Sequence, residues 1–156
     1  MTPVDQRVID YKGYGDCMTA CMASLLDLPY ESVPQFRKIQ TEGGSWFRAF
    51  YEFLDANGYE YEGSFCPREV RDAEGMVRVF NWHELPGRCE GVGGLYMAGG
   101  PSPRGAHVTG GHAVLVNADG SLAFDPHPSR AGILKVENVY MICRKPVNKE
   151  SNREAD

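Results

Sequence analysis

The sequence has no long block of one charge sign. Sixteen Lys and Arg stand against twenty-one Asp and Glu, for a formal charge of −5. The cations are scattered, so the basic footprint that nucleic acid or an anionic membrane surface calls for is missing. No stretch approaches the roughly eighteen uncharged apolar residues of a membrane span. The opening MTPVDQRVIDYK has no apolar run after its first charges, so it does not read as an export signal. These absences predict a soluble, cytoplasmic protein with neither nucleic-acid nor membrane partners.

Cysteine is scarce too, with five residues at 17, 21, 66, 89 and 143. An odd number, thinly spread over a chain able to build a core, predicts free thiols in a reducing compartment rather than a disulfide framework. Zinc is disfavoured because Cys17 and Cys21 form a lone C-x3-C pair, with no second close-spaced pair among positions 66, 89, 107, 112 and 143. His83 and His107 read as structural. The GVGG at 91–94 lacks the G-K-[ST] or G-x-G-x-x-G context of a phosphate loop. No metal or cofactor is called for.

What is present is material for one core: 156 residues, 42% of them hydrophobic, suit a single domain. We place it at 1–144, followed by a polar tail at 145–156, KPVNKESNREAD, expected to fray. In DCMTACMASLLDLP, Asp16 is a natural N-cap. Ala20, Cys21, Ser24, Leu25 and Leu28 then recur at helical spacing until Pro29, predicting an amphipathic helix that begins at Cys17. SWFRAFYEFLDANG repeats the pattern, with Ser45 as cap, Trp46, Phe50, Phe53 and Leu54 on one face and Asn57-Gly58 as stop. The intervening PYESVPQFRKIQTEGG reads as loop with at most a short turn. After Gly58 come short β-like runs, YEYEGSF, MVRVF, GLYMAG, HAVLVNADGSLAFD and YMICRK. Helices first and an antiparallel sheet afterwards make an α+β fold.

A thiol in the first turn of a helix faces unpaired backbone N–H groups and the positive end of the dipole, a setting that suits an anionic nucleophile. The bland alternative for Cys17 is a small apolar filler, which is how Cys21, one turn on, reads. The balance turns on HAVLVNADGSLAFD, where apolar runs flank Asp119-Gly120 as in a hairpin. With a two-residue loop His112 lies opposite His127 and diagonal to Asp125. With a four-residue loop His112 and Asp125 are directly opposite. In both registers their side chains share a face, about 5 to 8 Å apart, and only an odd-length loop separates them. A carboxylate beside a histidine fixes the imidazole tautomer and stabilises the imidazolium, and that imidazole then serves a cysteine. Cys17, His112 and Asp125 are therefore the candidate catalytic triad.

These features together resemble the papain-like cysteine peptidase superfamily, in particular its compact bacterial and phage branches related to bacteriocin-processing peptidases. VDQ, GDCMTACMASLLDLPYESVPQF, GGPSPRG, GHAVLV and DPHPSRAG resemble small phage and prophage proteins, over residues 4–135. The resemblance implies an N-terminal helix carrying the cysteine, packed on an antiparallel sheet carrying His and Asp. It also implies a cysteine hydrolase or acyl transferase acting on an amide, isopeptide or thioester bond of a peptide, protein conjugate or small molecule, in the host cytoplasm if phage-encoded. A papain-like module that binds or inhibits a host protein without turnover is the alternative. The superfamily carries an oxyanion glutamine about six residues before the cysteine. Here position 11 is Tyr, and Gln6 is the nearby candidate, with the Cys17 N–H as second donor.

GGPSPRGAHVTGGH, 99–112, is either a cleft wall or an ordinary connection; Ser102 and Arg104 are its candidate substrate contacts. HPSRAG brings His127, Ser129 and Arg130 near the site, Arg130 being suited to a carboxylate or phosphate, unless it is simply a locally bonded turn. Asp16, beside the nucleophile, is a further candidate for substrate binding.

Overall fold

The computed structural model describes residues 1–9, 15–65, 69–71, 77–79, 90–104 and 111–146, with only the backbone path of Phe65, 69–71 and 77–79. His83, His107, Cys66, Cys89, positions 105–110 of the predicted cleft wall and the tail from 147 onward lie outside the described residues. The order is α1 (Cys17–Leu26), a 3-10 turn (Tyr30–Ser32), α2 (Phe36–Thr41), α3 (Trp46–Ala56), then β1 (Tyr59–Phe65), β2 (Glu69–Arg71), β3 (Val77–Val79), β4 (Leu95–Gly100), β5 (His112–Asn117), β6 (Leu122–Phe124) and β7 (Asn138–Arg144). Three helices precede a five-stranded antiparallel sheet of order β1-β7-β4-β5-β6, and β2 and β3 pair separately. The fold is α+β.

α1 is not the amphipathic helix its spacing suggests: Thr19 through Leu26 are all buried. It runs through the interior against β5 and β4, so its polar residues must find partners inside the protein. Ser24 Oγ donates to Ala20 O at 2.9 Å and accepts from the Val4 N–H at 2.8 Å, and Thr19 Oγ1 donates to Pro34 O at 2.8 Å. The chain on either side of the helix is thereby tied to it. Asp27, in the left-handed region at φ 54°, ends the helix two residues before Pro29 can.

The predicted loop between helices contains the six-residue α2. Burial of Phe36 accounts for it: its ring lies edge-on to Phe50 and Phe53, centroids 5.9 and 6.4 Å away, an apolar anchor that outweighs weak local propensity. α3 follows its sequence pattern, with the Arg48 N–H donating to Ser45 Oγ and Phe50, Phe53 and Leu54 buried.

The helices cover one face of the sheet, where Met97, Leu115 and Ile142 join the α1–α3 side chains. On the other face Tyr96, Ala98, Val114, Val116, Val139 and Met141 pack with Ile133 and Val136 of the segment leading into β7. That segment lies so close to β4 that a Cβ on Gly100 would stand 2.0 Å from Lys135 O. Among the described residues no helix is long and apolar enough to cross a membrane.

Two expectations change. Cys143 is disulfide-bonded, whereas Cys17 and Cys21 are free, and the prediction of free thiols throughout fails at this position. β7 also brings together strand positions far apart in sequence, and cysteine counts carry no information about such pairings. At the predicted start of the tail, Lys145 donates its N–H to Gly58 O at 2.9 Å and pairs with Asp55, so this residue is held by the domain.

Candidate active site

Asn117 and Ser121 pair across Ala118-Asp119-Gly120, the Asn117 N–H donating to Ser121 O at 2.9 Å. The hairpin loop thus has odd length, the one case predicted to part His112 from Asp125. Gly120, at φ 84°, supplies the left-handed residue that such a turn needs. A second irregularity compensates. Val116 pairs with Leu122 but Leu115 with Phe124, leaving Ala123 as the extra residue of a bulge, and one extra residue restores facing parity. His112 and His127 consequently face each other, ring centroids 6.3 Å apart, and Asp125 stands one step away.

Asp125 is 1% exposed, yet its carboxylate is surrounded by donors. Oδ1 accepts from His112 Nε2 at 2.6 Å and the His127 N–H at 2.8 Å; Oδ2 accepts from the Gly132 N–H at 2.7 Å, with Arg104 Nη1 at 3.5 Å. Burial pushes the carboxyl pKa up, but the bonds from His112 and the two backbone amides outweigh it and hold it at about 2. An ionised carboxylate only accepts hydrogen bonds, so His112 Nε2 carries the proton and Nδ1 is left for the other partner of the ring, Cys17. Burial presses the His112 pKa down; bonds to Asp125 and Cys17, with the charges of both, more than reverse this and raise it. The Ala113 N–H also points at Cys17 Sγ, at 3.5 Å. Cys21 is fully buried, and burial, reinforced by the charges of Cys17 and Asp125, raises its pKa, so it stays a neutral thiol within the core.

Cys17 and His112 open onto a cleft of about 670 Å3 that Gln6 also lines. Gln6 is 8% exposed; its Nε2 donates to Val8 O at 3.0 Å, which fixes the amide orientation, and its buried Oε1 has no partner among the described residues. Leaving a buried carbonyl oxygen unbonded costs roughly 1–3 kcal/mol. The backbone N–H of Gln6 donates to Pro126 O at 3.0 Å, anchoring this segment next to the end of β6.

Other candidates divide. Arg104 and His127 line the cleft, as does Ser102. Asp16 does not line it; it holds the N-cap position of α1, as the sequence predicts, but its side chain makes no capping bond. Its carboxylate accepts from the N–H groups of Arg7 and Val8, at 2.9 and 3.0 Å, and from the Tyr30 hydroxyl. Burial first, then Asp16, push the Tyr30 pKa up to about 12, so the hydroxyl stays a donor. Asp16 is thus the anchor of the Gln6 segment, a role that cap statistics do not foresee. Arg130 also turns away: its guanidinium bonds Asp125 O at 2.5 Å and Asp5 Oδ1 at 2.6 Å and lies 4.9 Å from the Phe124 ring centre. Its carboxylate partner comes from the chain itself. No family model matches the chain, and neither a curated protein nor a solved structure matches it.

Proposed function

We propose that the protein is a cysteine hydrolase or acyl transferase of papain-like architecture that acts on an amide, isopeptide or thioester bond through an acyl-enzyme on Cys17. The supporting observation is the buried 2.6 Å bond between His112 Nε2 and Asp125 Oδ1 on a ring whose other partner is the Cys17 thiol. His112 Nδ1 takes the thiol proton as Sγ attacks the carbonyl carbon, and the C=O π pair moves onto oxygen. The Cys17 N–H at the start of α1 and Gln6 Nε2 donate to that oxyanion. Nε2 gives one hydrogen to Val8 O and has its second for this role, in an orientation that leaves Oε1 unbonded at a cost in stability. As the tetrahedral intermediate collapses, the imidazolium gives its proton to the leaving nitrogen or sulfur, and the C–N or C–S bond breaks. Asp125 stabilises the imidazolium throughout. Water, or an acceptor amine in transfer, then attacks the thioester with His112 as base and restores the thiol.

The chain's resemblance to phage proteins makes a host peptide or protein conjugate, in the host cytoplasm, the substrate we favour. One observation favours the second reading, a papain-like binding or inhibitory module: Gln6 Nε2 already gives one hydrogen to Val8 O. Intact-mass spectrometry after incubation with a small acyl thioester separates the two. Acylation of Cys17 in the wild type, with an adduct that persists longer in His112→Ala, supports the enzyme; no adduct on Cys17 under any condition leaves the binding module.

A further inference from the structure

The strand order sets what lies on each side of the proposed nucleophile. α1 brings Cys17 to β5 and β4, so the cleft extends one way past His112 toward the end of β6 and the other way across β4 toward β7 and α3. The β7 side is mixed, with Met18, Phe36, Trp46 and Tyr140 beside the polar Arg37, Gln40, Glu137 and Asn138. On the β6 side His127 and Arg104 are both held by Ser129. Arg104 Nη1 donates to Ser129 Oγ at 2.8 Å. The Ser129 N–H donates to His127 Nδ1 at 3.0 Å, and Ser129 Oγ lies 2.9 Å from the same nitrogen.

A backbone N–H only donates, so His127 Nδ1 is an acceptor and the ring proton sits on Nε2. Burial, then the positive charge of Arg104, lowers the His127 pKa despite Asp125, consistent with a neutral ring in that tautomer. Among the described residues neither His127 Nε2 nor Arg104 Nε and Nη2 has a hydrogen-bond partner. The Arg104 side chain is only 18% exposed, and its Nη1 contact to Asp125 is the longest of the four that carboxylate receives. A constrained guanidinium with two idle donor nitrogens beside an idle imidazole N–H matches a planar oxyanion.

We infer that Arg104 and His127, aligned by Ser129, form a carboxylate-binding subsite on the leaving-group side of Cys17, so that the preferred substrate releases an amine bearing a carboxylate close to the scissile bond. The assignment to the leaving-group side rests on the proposed triad, because His112 protonates the leaving atom and this subsite lies beyond His112. The class is an acylated amino acid or a peptide cut near its free C-terminus, with the opposite end of the cleft left for the acyl portion.

Two alkylating probes of equal reach test the subsite without a known substrate: anionic iodoacetate and neutral iodoacetamide, with Cys17 modification followed by peptide mapping. In wild type the iodoacetate-to-iodoacetamide rate ratio at Cys17 should exceed that in Arg104→Gln by about tenfold at low salt, and the excess should shrink as salt rises. Arg104→Lys should retain a good part of it. An unchanged ratio in Arg104→Gln, or a fall in both rates by the same factor, overturns the inference. The latter would mean that Arg104 acts only through Asp125. Should Arg104→Gln fail to fold, protection of wild-type Cys17 against iodoacetamide decides: N-acetylglycine should protect at concentrations about tenfold lower than N-acetylglycinamide, and equal protection, or none by either, overturns it. Failure of the triad shows elsewhere, as acylation that never occurs, and leaves the charge ratio readable.

Discussion

Replacing Asp125 by Asn keeps the size of the side chain and removes its charge, and the surroundings of this residue determine the cost. Four donors converge on the carboxylate: His112 Nε2 and the His127 N–H on Oδ1, the Gly132 N–H and Arg104 on Oδ2. Asn offers one oxygen. With that oxygen toward His112, its NH2 group faces the Gly132 N–H and Arg104, donor against donor. With the oxygen toward Gly132, the NH2 faces His112, whose proton must then move to Nδ1, and an imidazole so arranged cannot accept the thiol proton. Loss of a charge-assisted bond costs about 1.5–3 kcal/mol. Independently, a carboxyl held at about 2, against an ordinary value near 3.8, contributes roughly 2 kcal/mol at neutral pH. We therefore expect Asp125→Asn to lose about 2–3 kcal/mol by urea denaturation while retaining its fold. Its turnover should fall on the order of 10²- to 10⁴-fold, and Cys17 alkylation, where turnover is not assayable, by about tenfold. A variant within twofold of wild type in alkylation would refute the tautomer argument.

His127→Ala should reduce Cys17 alkylation by iodoacetamide far less than Asp125→Asn, by less than about twofold, because a neutral ring cannot stabilise the imidazolium; a larger loss than in Asp125→Asn would contradict the assignment. Gln6→Met removes both the donor and the orphaned Oε1, so stability should stay within about 1 kcal/mol of wild type while acylation by a thioester slows about 10²-fold; unchanged acylation would exclude Gln6 from oxyanion binding. Gly100→Ala pushes a methyl to 2.0 Å from Lys135 O and should cost about 3 kcal/mol, read as a lowered urea midpoint. On acidification, the stabilisation from the depressed Asp125 carboxyl is complete above its unfolded value near 3.8 and is lost as pH falls toward about 2. The difference in urea stability between wild type and Asp125→Asn should accordingly narrow between about pH 5 and pH 2.

The pattern of apolar positions foretold α3, which buries one face and leaves the other in water, while short apolar runs between Gly and Pro clusters foretold the main strands, buried on both faces, and the α+β order. It misjudged α1 because a helix buried nearly all round has no polar face to read, and α2 because Phe36 folds its segment by contacts with Phe50 and Phe53 rather than by propensity. The meeting of His112 and Asp125 was legible for a partly fortuitous reason. The loop is odd in length, which flips the facing of every later residue, and the bulge at Ala123 flips it back; nothing in Leu122-Ala123-Phe124 announces a bulge. Arg130 was misplaced because its carboxylate partner, Asp5, lies far off in sequence, and Asp16 because the backbone of Arg7 and Val8 folds back onto its carboxylate, which no motif signals. Ser129, which joins Arg104 to His127, carries no motif at all.

The claim that Cys17 and His112 act as a pair is tested most directly by the rate of Cys17 alkylation by iodoacetamide at neutral pH, measured by peptide mapping in wild type and in His112→Ala. With Nε2 held by Asp125 and Nδ1 directed at the thiol, the wild-type residue should react at least about tenfold faster than in the variant. Equal rates in two folded proteins would mean that the imidazole does not serve the cysteine, and the catalytic account would fail.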